Sequence, residues 1–259
     1  MSLSYSRPPT TLKRAAPTDY VYLVNDRRTP EPEAVADLGF ARLDTDRARR
    51  TGDPEVVYGA GKTPAQIAGI LATLHAKHPE RAVLVTRLSD EAVAHLREAL
   101  PEAVIDPVAR AATLGPLPEP RGTVAVIAAG TSDAPVAAEA ALSVRVHGSA
   151  VRRIDDVGVA GIHRILEARA EFADADCVIV VAGMEGALPS VVGGLVGVPL
   201  VAVPTSVGYG AAFEGLAALL GMLNSCAPGV SVVNIDNGYG AGVFAARVAR
   251  NARPRGERA

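Results

Sequence analysis

Beyond residue 122 the chain alternates short strand-like runs with longer segments of helical spacing. Residues 124–128, 150–154, 177–182, 200–203 and 230–235 read as strands, and residues 135–147, 162–172, 188–195, 216–224 and 241–250 read as helices. The run 177–182, Cys-Val-Ile-Val-Val-Ala, has no polar position on either face, which is the pattern of a parallel strand covered on both sides. Strands joined through helices by short loops predict a doubly wound parallel sheet with right-handed crossovers. The expected fold class is α/β, with this sheet forming the C-terminal domain.

The N-terminal portion is a smaller α/β unit. Residues 33–50 mix apolar positions with many charges in a broadly helical pattern, interrupted by Gly39 and ended by Gly52 and Asp53-Pro54. Residues 56–58 are a short strand candidate. Thr63 is a good N-cap before a proline at the first helical position, opening a helix to about Lys77. A strand over 82–86, a helix over 90–100 capped by Ser89 and a strand at 104–105 follow. Pro116, Pro118 and Pro120 alternate between Gly115 and Gly122, which prevents a regular helix and places the domain boundary there. The expected organisation is a flexible polar tail over 1–18, a small domain over 19–115 and a catalytic domain over 122–252.

Composition then narrows the class. The 259 residues carry a formal net charge of −2, so no excess of Lys and Arg is available for a nucleic-acid phosphate backbone. Cys177 and Cys226 are too few for a disulfide scaffold and no apolar signal segment opens the chain, so a cytoplasmic protein is expected. Residues 186–213 and 215–235 are uncharged, but Pro189, Pro199, Pro204 and Pro228 make them poor membrane spans and good buried α/β elements.

Ligands of such a sheet sit beyond the carboxyl ends of its strands, which directs attention to the loops there. Gly130-Thr131-Ser132-Asp133 combines hydroxyls with a helix start, suited either to an anion or simply to capping. Asp155-Asp156-Val157-Gly158 leads to His163 and Arg164, where glycine permits close approach of a ligand and the two bases face an anion or solvent. Gly183-Met184-Glu185-Gly186 places a carboxylate between glycines after a fully apolar strand. Such a context would desolvate Glu185 and raise its pKa, as a general base or acid requires; a helix-start charge is the competing reading. Thr205-Ser206-Val207-Gly208-Tyr209 offers hydroxyls and an aromatic ring, or plain turn chemistry. Asn224-Ser225-Cys226 ends a helix. A helix C-terminus does not lower a thiol pKa, so a reactive Cys226 needs another positive charge, such as the substrate's own.

Together with Gly39-Phe40-Ala41-Arg42-Leu43-Asp44, Pro54-Glu55-Val56-Val57-Tyr58-Gly59 and Gly61-Lys62-Thr63-Pro64, the stretches Gly130 to Asp133, Ala182 to Pro189 and Asn224 to Gly229 resemble the LarB family, the carboxylase/hydrolase of nickel-pincer nucleotide synthesis. The likeness covers about residues 36 to 250. The C-terminal part is also similar to PurE-type aminoimidazole ribonucleotide carboxylases, with Ala187 where their Ala-Gly-x-x-x-His-Leu-Pro loop has histidine and only a partial match to their Gly-Ser-x-Ser-Asp loop.

The LarB resemblance implies carboxylation of the pyridinium ring of nicotinic acid adenine dinucleotide by CO2 or bicarbonate, with cleavage of its phosphoanhydride. It implies Cys226 and Glu185 as catalytic residues. Gly130, Thr131, Ser132, Asp133, Asp156, Gly158, His163, Gly183, Met184, Thr205, Ser206, Gly208, Tyr209 and Asn224 would bind substrate, with Arg42, Asp44, Arg47, Tyr58 and Lys62 as contacts from the first domain. No tightly bound cofactor is expected, with Mg²⁺ left open as an auxiliary ion. A purine-precursor mutase and a non-catalytic nucleotide-binding module are the alternatives. The uncharged helices over 188–195 and 215–223 lack the polar outer face of a monomer's surface helix, so self-association is expected, and the PurE likeness favours an octamer.

Overall fold

The computed structural model describes residues 34–252; the expected tail over 1–18 lies outside them. The first elements are strands β1 (Val35–Asp37) and β2 (Arg42–Asp44), paired antiparallel, followed by helix α1 (Arg47–Thr51). The helical expectation for residues 33–50 is therefore wrong over its first half. Gly39 adopts φ +78°, its N–H donates to Asp37 Oδ1 at 2.8 Å, and Leu38 N–H donates to Ala41 O at 2.9 Å, closing a tight hairpin turn. The left-handed glycine that looked like a helix interruption is the turn itself.

Strand β3 (Val56–Tyr58), helix α2 (Pro64–Lys77), strand β4 (Val83–Thr86), helix α3 (Asp90–Ala99), strand β5 (Val104–Asp106) and strand β6 (Ala111–Leu114) complete the N-terminal unit. Thr63 and Gln66 form a reciprocal capping box at the start of α2, as the Thr-Pro sequence predicts. The sheet order is β3-β4-β6-β5, with β3 parallel to β4 and the other pairs antiparallel. Strand β6 was not anticipated: Ala-Ala-Thr-Leu is a weak strand former, and its pairing with β4 and β5 decides its conformation.

The C-terminal unit begins with β7 (Thr123–Ala128), then α4 (Ala134–Val146), β8 (Ala150–Ile154), α5 (Ile162–Glu167), α6 (Arg169–Phe172) and β9 (Cys177–Ala182). It closes with α7 (Leu188–Gly193), β10 (Leu200–Pro204), α8 (Leu216–Leu223), β11 (Val230–Val232) and α9 (Gly238–Arg250). All five strands are parallel, in the order β11-β10-β9-β7-β8. Alternation along the strands separates two cores. Val124, Val126, Cys177, Ile179 and Val181 face α4 and α9, whereas Ala125, Ile127, Val178 and Val180 face α5 to α8 through Ile165, Phe172, Leu188 and Met222. The sheet is doubly wound, as its apolar runs predict.

Helix α4 is buried on nearly all sides because it serves both units. Its Ala137, Ala140 and Ala141 pack on the parallel sheet and α9, while Ala138, Leu142 and Val146 pack on Ala82, Leu84, Ala109 and Ala111 of the N-terminal sheet. The two sheets thus share one helix, and the loops after β4 and before β6 come to rest beside the carboxyl edge of the parallel sheet.

Candidate active site

The loops after β7, β8, β9 and β10 enclose a cavity of about 360 Å³ at the carboxyl edge of the sheet. Gly130, Ser132, Asp133, Gly158, Gly183, Met184 and Glu185 line it, with Ala187, Leu188, Arg164 and Val207. Gly183 is required by a close crossing of chains: a Cβ there would lie 2.3 Å from Val207 O and 2.7 Å from Thr205 Oγ1. Met184 is then held at φ +53° with its N–H donating to Val207 O at 2.8 Å. A second packing reason holds Gly186, whose Cβ would meet Ala218 O at 2.7 Å. The glycines around Glu185 are therefore explained by backbone packing.

The desolvated acid of the cavity is Asp133, at 4% exposure, whereas Glu185 is exposed on the rim. This corrects the expectation that the loop desolvates Glu185. Asp133 Oδ1 accepts from Thr205 Oγ1 at 2.7 Å and Oδ2 from Gly130 N–H at 3.0 Å. Burial pushes the Asp133 carboxyl above the usual carboxylate range, and the nearby Asp236 charge adds to the effect against these hydrogen bonds. An acid whose partners are neutral is one that can hold a proton near the reacting atoms.

The remaining expected contacts divide by position. Thr205 lies beneath the cavity through Asp133, and Gly208 packs by Met184 and Ala212. Asp156, at φ +61°, accepts from Arg164 through its carbonyl at 2.6 Å and pairs with it through its carboxylate at 3.0 Å, so Arg164 rather than the exposed His163 reaches the cavity wall. Thr131 and Tyr209 are exposed and do not line the cavity. Ser206 faces an adjoining cleft, its N–H donating to Asp236 Oδ1 at 2.9 Å.

Cys226 and Asn224 are exposed in the turn between α8 and β11, where Ser225 shares a hydrogen bond of 2.8 Å with Ser190 of α7. Within one chain the thiol does not enter the cavity. Nor do Arg42, Asp44, Arg47, Tyr58 or Lys62. Asp44 pairs with Arg50 and Arg47, and Lys62 Nζ donates to Tyr58 O at 2.8 Å. The N-terminal arginines that do reach the carboxyl edge are Arg87 and Arg110, in a cleft of about 200 Å³ with Ser132, Glu139, Ser206 and Asp236. The sequence reading missed both, although Arg87 directly follows a buried strand, the position at which the carboxyl-edge rule points. Among the described residues no group of three or more His, Cys, Asp or Glu is placed to hold a metal, and no helix is long and apolar enough to cross a membrane.

A parallel five-stranded sheet with its buried acid at the carboxyl edge defines a class, and the comparisons with known proteins give it a family. Residues 123–258 match AIR carboxylase and residues 35–116 match the LarB/PurE-like N-terminal domain. The chain belongs to the LarB family of PurE-like carboxylases. It is also 43% identical over 221 residues to an uncharacterised protein of Methanocaldococcus jannaschii, MJ0165, covering 81% of this chain and 84% of the relative.

Proposed function

We propose that this carboxylase-family enzyme carboxylates the pyridinium ring of nicotinic acid adenine dinucleotide and cleaves its phosphoanhydride, giving pyridinium-3,5-biscarboxylic acid mononucleotide and AMP. The observation that carries the reading is the carboxyl-edge cavity with its buried Asp133 and rim Glu185, in a chain that joins a LarB-type N-terminal domain to an AIR carboxylase domain. Ala187 lines that cavity where the purine carboxylases have a histidine, which favours a substrate other than their ribonucleotide.

A pyridinium carbon is electrophilic and must become a nucleophile before it attacks CO2. The Cys226 thiolate adds to ring carbon 4, giving a neutral dihydropyridine whose carbon 5 is enamine-like. Carbon 5 bonds to CO2, Glu185 removes the proton from that carbon, and departure of the thiolate restores the aromatic cation. The net change is one CO2 added and one proton released, with no resident cofactor required. Asp133, buried and held by Thr205 and Gly130, orients the ribose or ring substituent over the cavity floor.

The thiol reaches this cavity from a second copy of the chain. Leu216, Leu220 and Leu223 are 44%, 55% and 62% exposed along one stripe of α8, continuous with Phe213 and ending beside Cys226. A copy seated on that stripe covers the uncharged helix face and carries Cys226 to a neighbour's cavity. Helix α7 needs no such cover, since Leu188, Pro189, Val192 and Gly193 are buried within the chain, so the expected self-association surface shrinks to α8. A closed homo-oligomer, an octamer by family likeness, follows.

The test is incubation of the purified protein with the dinucleotide and bicarbonate, with light scattering on the same sample. Carboxylated mononucleotide plus AMP, lost in Cys226→Ser with the fold intact, is the expected result. AMP alone would make the protein a hydrolase, no turnover would remove the reading, and full activity of Cys226→Ser would remove the thiol mechanism. A single species of 26.6 kDa would overturn the shared site.

A further inference from the structure

The turn that carries Cys226, residues 224–229, joins α8 to β11 and is exposed along much of its length. A thiol that must meet one ring carbon needs a fixed position, which an exposed turn does not gain from burial. Hydrogen bonds fix it instead. Ser225 N–H donates to Met222 O at 3.2 Å and Leu200 N–H of β10 donates to Gly229 O at 3.1 Å, so backbone holds the two ends. Between them, the Ser225 hydroxyl accepts from Ala227 N–H at 3.3 Å, closing a small loop around Cys226. The same hydroxyl shares its bond of 2.8 Å with the Ser190 hydroxyl of α7. Among the described residues this is the side-chain hydrogen bond that ties the turn to another element.

Helix α7 is a firm support for such a tie. Leu188, Pro189, Val192 and Gly193 are buried, and the turn lies so close to the helix that a Cβ on Gly193 would stand 2.8 Å from Ala227 Cβ. The helix starts directly after the loop bearing Glu185. Helix α8, which leads into the turn, packs on that same loop: a Cβ on Gly221 would meet Glu185 O at 2.6 Å, and one on Gly186 would meet Ala218 O at 2.7 Å. The rim acid and the thiol turn are therefore fixed to the same two helices. Ser190 and Ser225 are both half-buried, so water can replace a deleted hydroxyl there without disturbing the core.

We propose that Ser190 is a positioning residue for the thiol: its bond to Ser225 sets the place from which a chain presents Cys226 to its neighbour's cavity, in register with its own Glu185. Ser190 touches no reacting atom and acts through Ser225. Its bond matters when sulfur approaches ring carbon 4, not in holding the dinucleotide, so its loss is felt in kcat rather than in KM. The inference rests on the thiol mechanism proposed above.

The test compares Ser190→Ala and Ser190→Thr with wild type, in steady-state carboxylation and in amide hydrogen exchange over residues 224–229, read by mass spectrometry on the full chain. Ser190→Ala is expected to lower kcat about tenfold at unchanged KM, the scale of a modest misplacement of a reacting group, and to speed exchange of the turn several-fold. Ser190→Thr keeps the hydroxyl and should restore both. Should Ser190→Ala fail to fold, Ser225→Ala, which removes the other end of the bond, is read in the same way. Wild-type kcat in Ser190→Ala, a loss confined to KM, or Ser190→Thr as impaired as Ser190→Ala overturns the positioning role. Unchanged exchange overturns it whatever the activity. The two readings fail separately. If wild type gives no carboxylated product while Ser190→Ala frees the turn and Ser190→Thr restores it, the carboxylation falls and the clamp stands, whereas carboxylation at equal rates with equal exchange in wild type and Ser190→Ala does the reverse.

Discussion

Asp53 and Asp133 are buried at opposite edges of the parallel sheet, and the two edges treat them oppositely. Asp53, at 3% exposure, lies by the amino edge, where Arg247 Nε and Arg250 Nη2 of α9 donate to it at 2.7 and 2.8 Å. Burial alone would raise its pKa, but the Arg247 hydrogen bond and the surrounding positive charge hold the carboxyl below the usual range. Asp133, buried to the same degree at the carboxyl edge, has a hydroxyl and a backbone N–H for partners, and its pKa is raised. The difference lies in the partners rather than in the depth. An acid matched by cations joins the N-terminal unit to α9, and an acid left with neutral partners has its charged form disfavoured.

The largest expected effect is on turnover at the carboxyl edge. Asp133→Asn should lower carboxylation by about 100-fold, the order expected when a group that orients the substrate is lost, with the fold retained. Steady-state assays with the dinucleotide, paired with circular dichroism, check it. Activity within a few-fold of wild type would make Asp133 a loop tie like Asp53.

Next in size is the loss of the amino-edge lock. Asp53→Asn leaves two arginines without their acid, and because Arg247 is half exposed the loss is set below that of a fully buried pair, at about 2 kcal/mol near neutral pH. The pH dependence has opposite sign at the two sites. The unfolded chain holds the Asp53 proton more tightly, so that stabilisation is complete above the ordinary carboxylate pKa and is lost as pH falls through the depressed folded value. The folded chain holds the Asp133 proton more tightly, so its contribution is complete at low pH and is lost as pH rises through the raised value. In urea unfolding, the deficit of Asp53→Asn should shrink on acidification. Asp133→Asn should instead gain on wild type as pH rises. Parallel curves for the two variants would break the comparison.

How much of this was legible in the sequence follows from the range of the interactions. The parallel sheet was readable because burial on both faces writes itself into contiguous residues such as 177–182. The hairpin at Gly39 was misread because a three-residue strand is too short to show its period among so many charges. The choice of Glu185 over Asp133 as the buried acid failed for a different reason. Asp133 is buried by Thr205, 72 residues away, and no local pattern records that bond. Arg110 was invisible for the same cause, since its place beside the cavity depends on β6 pairing with β4 and on α4 serving both sheets.

The smallest expected effect contrasts the two thiols and closes the comparison on the sheet itself. Cys177 is fully buried at the start of β9 among Val124, Ile179 and the alanines of α9, and burial pushes its thiol up to about 12. It therefore stays protonated at any working pH and reacts with nothing, while the exposed Cys226 remains open to reagents. Cys177→Ala removes one sulfur from a filled core and should cost about 1 kcal/mol, the loss being limited because the site is lined by small residues that relax inward. Turnover should be unchanged, and a thiol reagent applied to the native protein should label Cys226 alone. A Cys177→Ala variant that lost carboxylation while keeping its stability would place the reactive sulfur inside the sheet and would remove the need for a second chain at the site.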